Sequence, residues 1–449
     1  MNSIFIFRRD YRIQDNKGLV NCIKQSKTIY PIFIFTKTQI KNNKYKSSNA
    51  IQFMIESLKE LNNEIKLNLF YGNNEEIIKD LIYNNKIDAI FTNTDYTPFA
   101  KERDIKLQNI CNKMNVKLFL NHDICLHVPG NILSGSGKVY KKFTPFYKNA
   151  IKLNVDKPEK YQIKNKIGIL NGKYNSTFKD IEKYYNINKK NNVNGGRKEA
   201  LKILKNINSF SNYEKTRDVL SKNTTHLSAY LKFGCISIRE VYHVVKNKFG
   251  INDDIIKQLL WRDFYYHVGN EYTIWGKSMK EKYNKIKWLY NKKHFNKWKN
   301  AMTGFPIVDA AMRQLNETGF MHNRGRLIVA SFLIKNLQID WLWGEKYFAT
   351  QLIDYDPLVN NGNWQWVAGT GTDSQPYFRI FNPWSQSEKH DKDCIYIKKW
   401  IPELKNVDNK DIHKWYKTYK NYPNIKYPTP IIDYKKSREK TIDMYQKIF

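Results

Sequence analysis

The sequence predicts two domains of different class, an N-terminal α/β domain with a doubly wound parallel sheet and a larger all-α domain after it. The chain has 449 residues, more than a single hydrophobic core usually organises. Short β-rich runs alternate with amphipathic helical patterns from residue 3 to residue 122, and this alternation is typical of parallel α/β sheets. Longer helical patterns dominate from about Gly196 onward, and all eleven tryptophans lie between Trp261 and Trp415.

The first domain, residues 1–125, is expected to contain five strands joined by helices. The predicted helix Ala50–Leu61 has apolar residues at helical spacing between two of these strands. No G-x-G-x-x-G fingerprint occurs here, so we do not expect a dinucleotide site of the usual kind in this domain. The predicted strands are Ser3–Phe7, Thr28–Phe35, Leu67–Tyr71, Ala89–Asn93 and Val116–Asn121.

Residues 126–195 form the next segment, which is rich in Gly, Ser, Pro, Asn and Lys. Such composition is typical of a solvated connection between domains, and we interpret the segment as an inter-domain linker. The remainder, residues 196–449, is then the all-α domain, and its concentration of tryptophan predicts that the chemistry takes place there.

The net charge of +34 comes from 76 basic and 42 acidic residues. A field of this sign attracts polyanions, and nucleic acid is the first candidate partner. Lys, Asn and Ile are abundant along the whole chain, however, as coding by an A/T-rich genome would produce. Both explanations of the charge stay open.

Composition also excludes several classes of protein. No stretch approaches eighteen consecutive apolar residues, and the N-terminus Met1–Asp10 is a poor signal peptide, so we expect neither a membrane span nor a membrane partner. The five scattered cysteines and nine histidines lack the spacing of a disulfide framework or a metal site, so no metal is expected. An intracellular, reducing compartment follows, with cytoplasm and nucleus both open.

The stretch Asp354–Trp366 is the most informative part of the chain. Its thirteen residues hold two carboxylates, several amides and two tryptophans. Cores rarely place this polarity beside so much aromatic surface. Amides and carboxylates can hydrogen-bond a heteroaromatic ring, and indoles can stack or carry an electron. The stretch therefore predicts the floor of a buried polar cofactor site.

Four motifs around this stretch resemble the photolyase/cryptochrome family, and most of all the class I cyclobutane pyrimidine dimer photolyases. The similarity is near-continuous from about Leu201 to Leu404 and weaker before it. It implies a helical FAD-binding domain and light-driven repair, in which photoexcited reduced FAD donates an electron to a flipped-out pyrimidine dimer in UV-damaged DNA. The motifs are Gly304–Leu315, Gly319–Arg324, Gly371–Asp373 and Pro376–Pro383.

The resemblance implies a set of FAD contacts. Thr224–Ser228 would contact the phosphates, although by itself this run is equally typical of a helix cap. Arg326 and Asp354 would form a buried pair beside the isoalloxazine, and Asp356 would lie near the ring and ribityl chain. Asn360 would face flavin N5, where many cryptochromes have Asp or Cys. The full set is Tyr213, Thr224, Thr225, His226, Leu227, Ser228, Arg326, Asp354, Asp356 and Asn360.

Three tryptophans match an electron path from the flavin to the surface: Trp364, Trp341 and Trp288. Alone, each is more typical of packing, and it is their joint match that favours electron transfer. The path would serve reduction of the flavin by light. With Asn360 and Gln258 these residues make up the predicted catalytic set.

A further set of residues would bind the damaged DNA. Trp261 and Trp366 match two indoles that hold the dimer, since stacking offsets part of the cost of unpairing it. Gln386 is expected in a loop that enters the bubble left by flipping, and Trp384 beside it is either a wedge or a packing residue. The remaining predicted contacts are Arg217, Gln258, Asn323, Arg324 and Arg379.

Two departures from the family bear on activity. Gln258 replaces the usual Glu, and an amide can donate a hydrogen bond but cannot supply a proton. Leu327 replaces the usual Met and conserves volume. Photolyases for (6-4) products need two histidines, and the matching residues here are Asn323 and Leu327, which argues against that substrate.

Two alternative functions and the identity of the antenna chromophore stay open. A cryptochrome photoreceptor is the first alternative, and a DASH-type single-strand dimer photolyase is the second. The antenna chromophore could be a folate, a deazaflavin, a second flavin or absent, because Tyr96–Ala100 lacks the Asn-Glu pair of folate-binding members. A monomer is expected.

Overall fold

The computed structural model describes residues 1–170, 172–272, 274–374 and 376–448. Its N-terminal part contains one five-stranded, fully parallel sheet with the strand order β3-β2-β1-β4-β5. The doubly wound α/β prediction is confirmed, and two of the five strands have the predicted bounds. The strands are β1 (Asn2–Ile6), β2 (Thr28–Phe35), β3 (Asn68–Tyr71), β4 (Ala89–Asn93) and β5 (Lys117–Asn121).

Five helices cover the sheet, and each begins after a Ser, Thr or Asn whose side chain accepts a backbone N–H of the first turn. The inner strands are buried on both faces and therefore consist of nearly continuous apolar runs, such as Ile32–Phe35 in β2. The helices are α1 (Lys17–Gln25), α2 (Lys37–Ile40), α3 (Ser48–Glu64), α4 (Asn74–Asn85) and α5 (Pro98–Lys113).

Residues 126–195 include two short helices, α6 (Phe143–Ala150) and α7 (Phe178–Glu182). The segment is not solvated throughout, since apolar side chains spaced along it are buried in the core. It also forms single bridges to two strands, at Ile29 with Ile167 and at Phe70 with Asn175. Its polar composition reflects the outward-facing residues, while the few inward-facing ones attach it to the body of the protein.

From residue 196 onward the described residues are helical or irregular. Among the described residues, no helix combines the length and apolar character needed to cross a membrane. The helices are α8 (Arg197–Lys205), α9 (Tyr213–Thr216), α10 (Leu227–Phe233), α11 (Ile238–Phe249), α12 (Asp254–Glu271), α13 (Lys292–Lys299), α14 (Pro306–Thr318), α15 (Asn323–Ser331), α16 (Trp341–Gln351), α17 (Pro357–Ala368), α18 (Pro383–His390), α19 (Ile395–Trp400), α20 (Asn409–His413), α21 (Trp415–Thr418) and α22 (Tyr434–Gln446). A core around Trp298, Phe305 and Leu333 packs the helices from α13 onward, whereas α8 and α10–α12 share one apolar core with the sheet.

A buried ionic network joins the sheet to the helical part. Arg239 of α11 reaches Asp15 at 2.8 Å and Asp123 at 2.7 Å, and Arg12 also pairs with Asp123 at 2.7 Å. All four side chains are almost fully buried. Burial alone would raise the pKa of Asp123, but the two guanidiniums lower it to about 2. Arg12, Asp15 and Asp123 belong to the sheet domain and Arg239 to the helical part, so these ion pairs help to hold the two parts together.

Candidate active site

Asp354 lies just before α17 and connects three elements of the helical part. One of its carboxylate oxygens accepts hydrogen bonds from Ser228 Oγ at 2.6 Å and from Arg326 at 2.9 Å. Arg326 is oriented in turn by the carbonyl oxygen of Met321, at 2.8 Å. The predicted Arg326–Asp354 pair is therefore present, and Ser228 from α10 completes it.

The other carboxylate oxygen of Asp354 is buried and has no hydrogen-bond partner among the described residues. A buried acceptor without a donor is costly, so its presence indicates a donor that binds there. The N3–H of an isoalloxazine ring is a donor of this kind. The arrangement of Asp354, Arg326 and Ser228 therefore fits a flavin.

The segment Thr224–Ser228 does not form the helix cap that its sequence suggested. The helix α10 begins at Leu227, and its N-cap residue His226 makes no capping hydrogen bond through its side chain. His226 has a left-handed backbone (φ +53°), packs its ring on Phe320 and shares a 2.8 Å hydrogen bond with Asn192. Thr224 and Thr225 precede the helix and are half-buried, so their hydroxyls are not used in capping it.

Tyr213 lies at the start of the short helix α9 and is half-buried. Burial raises the pKa of its phenol to about 12. The hydroxyl therefore remains protonated at neutral pH and can donate a hydrogen bond to a phosphate.

Asp356 is held by protein donors at both of its carboxylate oxygens. One oxygen caps α17 through the N–H groups of Leu358 and Val359. The other accepts from Arg9 and from the Tyr266 hydroxyl, each at 2.5 Å. Its carboxylate therefore joins the sheet domain to the floor of the site, and both oxygens are occupied by protein donors. Burial would raise the pKa of Asp356, but Arg9 and Arg262 lower it to about 2.

Asn360 is held by Glu345, a residue that the sequence did not single out. The Asn360 amide donates to the Glu345 carboxylate at 3.1 Å, and Tyr355 and Asn361 each donate to the same carboxylate at 3.0 Å. Burial raises the pKa of Glu345. Because a carboxylate accepts hydrogen bonds, it fixes the NH2 of Asn360 and turns the amide oxygen the opposite way. The signal in the sequence was a lone acid within the apolar helix α16.

Of the three predicted electron carriers, only the outermost is partly exposed. Trp364 and Trp341 are buried, and Trp288 is half-buried. Helix α16 passes so close to Trp364 that a Cβ on Gly344 would lie 2.2 Å from its ring. Trp341 lies one helical turn before Gly344 on the same helix. Trp288 meets the ring of Tyr445 edge to face at 6.2 Å.

Gln258 and Trp261 lie one turn apart on α12, so they share a face of this helix. Trp261 is half-buried, and so is Trp366 of α17. Phe143 of α6 stacks on Trp261, with ring centroids 3.6 Å apart and an angle of 10° between the planes. Asn323 is exposed at the first position of α15. These four predicted contacts to the dimer are therefore spread over three helices.

The three predicted phosphate contacts differ in their surroundings. Arg217 is paired with Asp254 at 2.8 Å, and Arg324 is paired with Asp218 at 2.8 Å. Arg379 is exposed and has no ion pair among the described residues. It is therefore the member of this set whose charge is most available to a polyanion.

Gln386 lies on the helix α18 rather than in the predicted loop. Pro383 occupies the first turn of this helix, where it needs no backbone N–H, and Asn382 caps it. Trp384, in the same turn, is 9% exposed and stacks on Phe305 at 4.6 Å. Of its two predicted roles, the structure supports packing.

Two family models match this sequence. The model described as DNA photolyase matches residues 3–161, and the model described as the FAD binding domain of DNA photolyase matches residues 255–447. The deoxyribodipyrimidine photo-lyase of Buchnera aphidicola from Acyrthosiphon pisum is 38% identical over 98% of this chain and 96% of its own length. The Escherichia coli protein of the same name is 33% identical, over 98% of this chain and 97% of its own.

Solved structures extend the similarity to the complete fold. An archaeal photolyase from Sulfolobus tokodaii, described as holding two FAD molecules, superposes with a TM-score of 0.90 at 38% identity, covering 100% of both chains. A bacterial class III photolyase from Agrobacterium tumefaciens gives a TM-score of 0.92 at 31% identity, covering 100% of this chain and 97% of the other.

Proposed function

This chain belongs to the DNA photolyase family, and we propose that it is a deoxyribodipyrimidine photo-lyase that uses FAD and light to repair cyclobutane pyrimidine dimers in DNA. The observation that carries the proposal is the buried, unpartnered oxygen of Asp354 beside Arg326 and Ser228. The full-length similarity to proteins named deoxyribodipyrimidine photo-lyase supports the substrate. The +34 net charge suits a DNA partner.

The FAD would be held by residues from several elements. Asp354 and Arg326 would meet the polar edge of the ring, with Ser228 donating its hydroxyl hydrogen to Asp354, and the hydroxyls of Thr224 and Thr225 would approach the phosphates. The oxygen of Asn360, turned away from Glu345, would face N5 without adding a charge. When bound, reduced FAD supplies the light-driven electron that splits the cyclobutane ring.

The protein's own part in repair is to flip, hold and orient the dimer. Trp261 and Trp366 offer indole surface on which a flipped dimer can stack. Gln258, on the same face of α12 as Trp261, can donate a hydrogen bond to a pyrimidine carbonyl. Arg379 would hold a phosphate of the strand.

We assign the substrate as a cyclobutane dimer because neither Asn323 nor Leu327 can move a proton at neutral pH. The class stays a proposal: the sequence motifs favour class I, and a class III structure also superposes well. We further propose that the protein is a monomer that works inside the cell. Its parts would be an N-terminal antenna-type domain (1–125), a linker (126–195) and a catalytic domain (196–449).

A second flavin is the first candidate for an antenna, because the similar structure from Sulfolobus tokodaii is described as holding two FAD molecules. Folate and deazaflavin are the alternatives. Chromophores released by heat from the purified protein, separated and identified by mass, would decide between them. Two FAD molecules per chain are expected if the antenna is a flavin.

The deciding experiment is a repair assay on photoreduced protein. Two duplexes, one with a cyclobutane thymine dimer and one with a (6-4) product, and the single strand that carries the cyclobutane dimer are incubated under blue light and in the dark. We expect light-dependent repair of the cyclobutane substrate alone, and a higher yield per photon for Gln258→Glu. Flavin that binds and photoreduces without repair of either duplex would instead identify a photoreceptor, and repair confined to single strands would identify a DASH-type enzyme.

A further inference from the structure

The first turn of α6 packs against Trp261, one of the two indoles proposed to stack on the dimer. Phe143 is 4% exposed and covers one face of the Trp261 indole, with centroids 3.6 Å apart. Phe264 meets the same indole edge-on at 5.7 Å. An indole that is covered on one face and braced at an edge presents a fixed remaining surface. Phe143 thus determines which way Trp261 turns toward a ligand.

Phe143 is in turn attached to the loop that follows Trp366. The carbonyl oxygen of Lys141 accepts the Asp373 N–H at 3.0 Å and the Thr372 hydroxyl. Thr372 is 5% exposed, so this hydroxyl cannot exchange its partner for water without cost. The loop therefore holds the segment Lys141–Phe143 in place.

We propose that Lys141–Phe143 and Thr372–Asp373 form one clamp that positions the Trp261 indole for a flipped pyrimidine dimer. The clamp connects the two helices that carry the dimer-stacking indoles, α12 and α17. It also assigns a task to Thr372 and Asp373, which lie in a family motif but were given no role. The inference rests on the proposed function, because Trp261 is taken to stack on the dimer.

Phe143→Leu tests the clamp because it keeps an apolar side chain but removes the flat ring. The measurement is the ratio of the dissociation constants for an undamaged oligonucleotide and for the same oligonucleotide with one thymine dimer. We expect this ratio to fall about tenfold, as the loss of an oriented stacking partner predicts. Undamaged DNA should bind as before, since it does not enter the pocket.

Phe146→Leu is the matched control. Phe146 is on the same helix and fully buried, and it packs on Phe264 and His267 rather than on Trp261. It should lower the melting temperature as much as Phe143→Leu while changing the ratio less than about twofold. Thr372→Val, which removes only the hydroxyl bond to Lys141, should lower the ratio by about threefold.

Equal ratios for Phe143→Leu and Phe146→Leu would overturn the clamp, and so would a Thr372→Val ratio equal to that of the wild type. If the wild-type protein itself does not prefer dimer-containing DNA, the proposed function fails, and the variants are not needed to show it. The two failures are therefore separate results of one titration series.

Discussion

At the scale of single residues, the proposed site contains polar side chains in which protein groups bond one atom and leave an acceptor oxygen available to a ligand. Asp354 has one oxygen occupied by Ser228 and Arg326 and one without a partner among the described residues, and Asn360 has its NH2 fixed by Glu345. Each arrangement would present an acceptor oxygen to the proposed FAD at a defined angle. Pre-organised acceptors of this kind bind a ligand without a further loss of side-chain entropy.

Arg379→Ala tests the exposed cation of the predicted DNA surface. We expect weaker binding of damaged and undamaged DNA by the same factor, because a phosphate contact carries no information on the base. The slope of log K against log salt concentration should become shallower by about one. Binding would be measured by anisotropy at several salt concentrations.

Arg313→Ala is the control for that prediction, since Arg313 already pairs with Glu403 at 2.8 Å. Its salt dependence should match that of the wild type. If Arg379→Ala weakened only the binding of dimer-containing DNA, Arg379 would contact the lesion rather than the backbone.

At the scale of elements, close packing of helices decides where the indoles lie. A Cβ at Gly344 of α16 would overlap the Trp364 ring, and a Cβ at Gly362 of α17 would lie 2.2 Å from Tyr265 of α12. Both glycines allow helices to approach where a side chain would separate them. The site floor is therefore a contact of three helices.

Gly344→Ala should destabilise the protein by about 1–3 kcal/mol, because overpacking against a rigid ring exceeds the gain in helix propensity. Displacement of Trp364 should also slow light-driven reduction of the flavin, measured by absorbance in the presence of a reductant. Gly135→Ala is the control, since nothing lies within 4 Å of a Cβ there. Wild-type stability and photoreduction in Gly344→Ala would contradict the packing argument.

His322, the N-cap of α15, predicts a pH dependence. Its Nδ1 accepts the Arg324 N–H at 3.1 Å, its Nε2 is buried with no hydrogen-bond partner in the described part of the chain, and burial lowers its pKa to about 4. The unfolded chain therefore binds more protons between pH 6.5 and 4, and stability falls as pH falls through this range.

His322→Asn keeps an N-cap acceptor and removes the titrating ring. The loss of unfolding free energy between pH 7 and pH 5 should shrink by about 2 kcal/mol in urea titrations. An unchanged difference between the two pH values would show that His322 is not neutral in the folded protein.

At the scale of the whole molecule, buried charge couples the sheet domain to the helical part. Asp15 and Asp123 come from one side, and Arg239 comes from the other. Removing one member of a buried pair leaves an uncompensated charge, which typically costs about 3–5 kcal/mol. The lowered pKa of Asp123 adds stability at neutral pH that is lost as pH falls from about 4 to 2.

Arg239→Leu should therefore uncouple the two parts. All eleven tryptophans are in the helical part, so their fluorescence reports its unfolding alone, whereas circular dichroism reports both. We expect coincident urea transitions in the wild type and separated ones in the variant. Arg197→Leu is the control, because Arg197 pairs with Glu240 within the helical part. Coincident transitions in Arg239→Leu would show that other contacts couple the domains.

The sequence by itself was sufficient to predict the parallel sheet. A strand that is buried on both faces consists of a nearly continuous apolar run, and Thr28–Phe35 is such a run. The motifs also predicted the pairing of Arg326 with Asp354, which the structure contains. The sequence did not predict that Gln386 lies on a helix. Proline occurs both in loops and in the first turn of helices, so Pro383 did not distinguish the two.

Residue identity thus determined the fold class and the family, and it indicated the pair of Arg326 and Asp354. Only the tertiary structure decided that Asp356 faces Arg9, that Glu345 holds Asn360 and that Phe143 covers Trp261. In each case the partner is distant in the chain, or its role depends on which way a side chain turns. Local pattern carries no information on such contacts, because they form only when separate elements pack against each other.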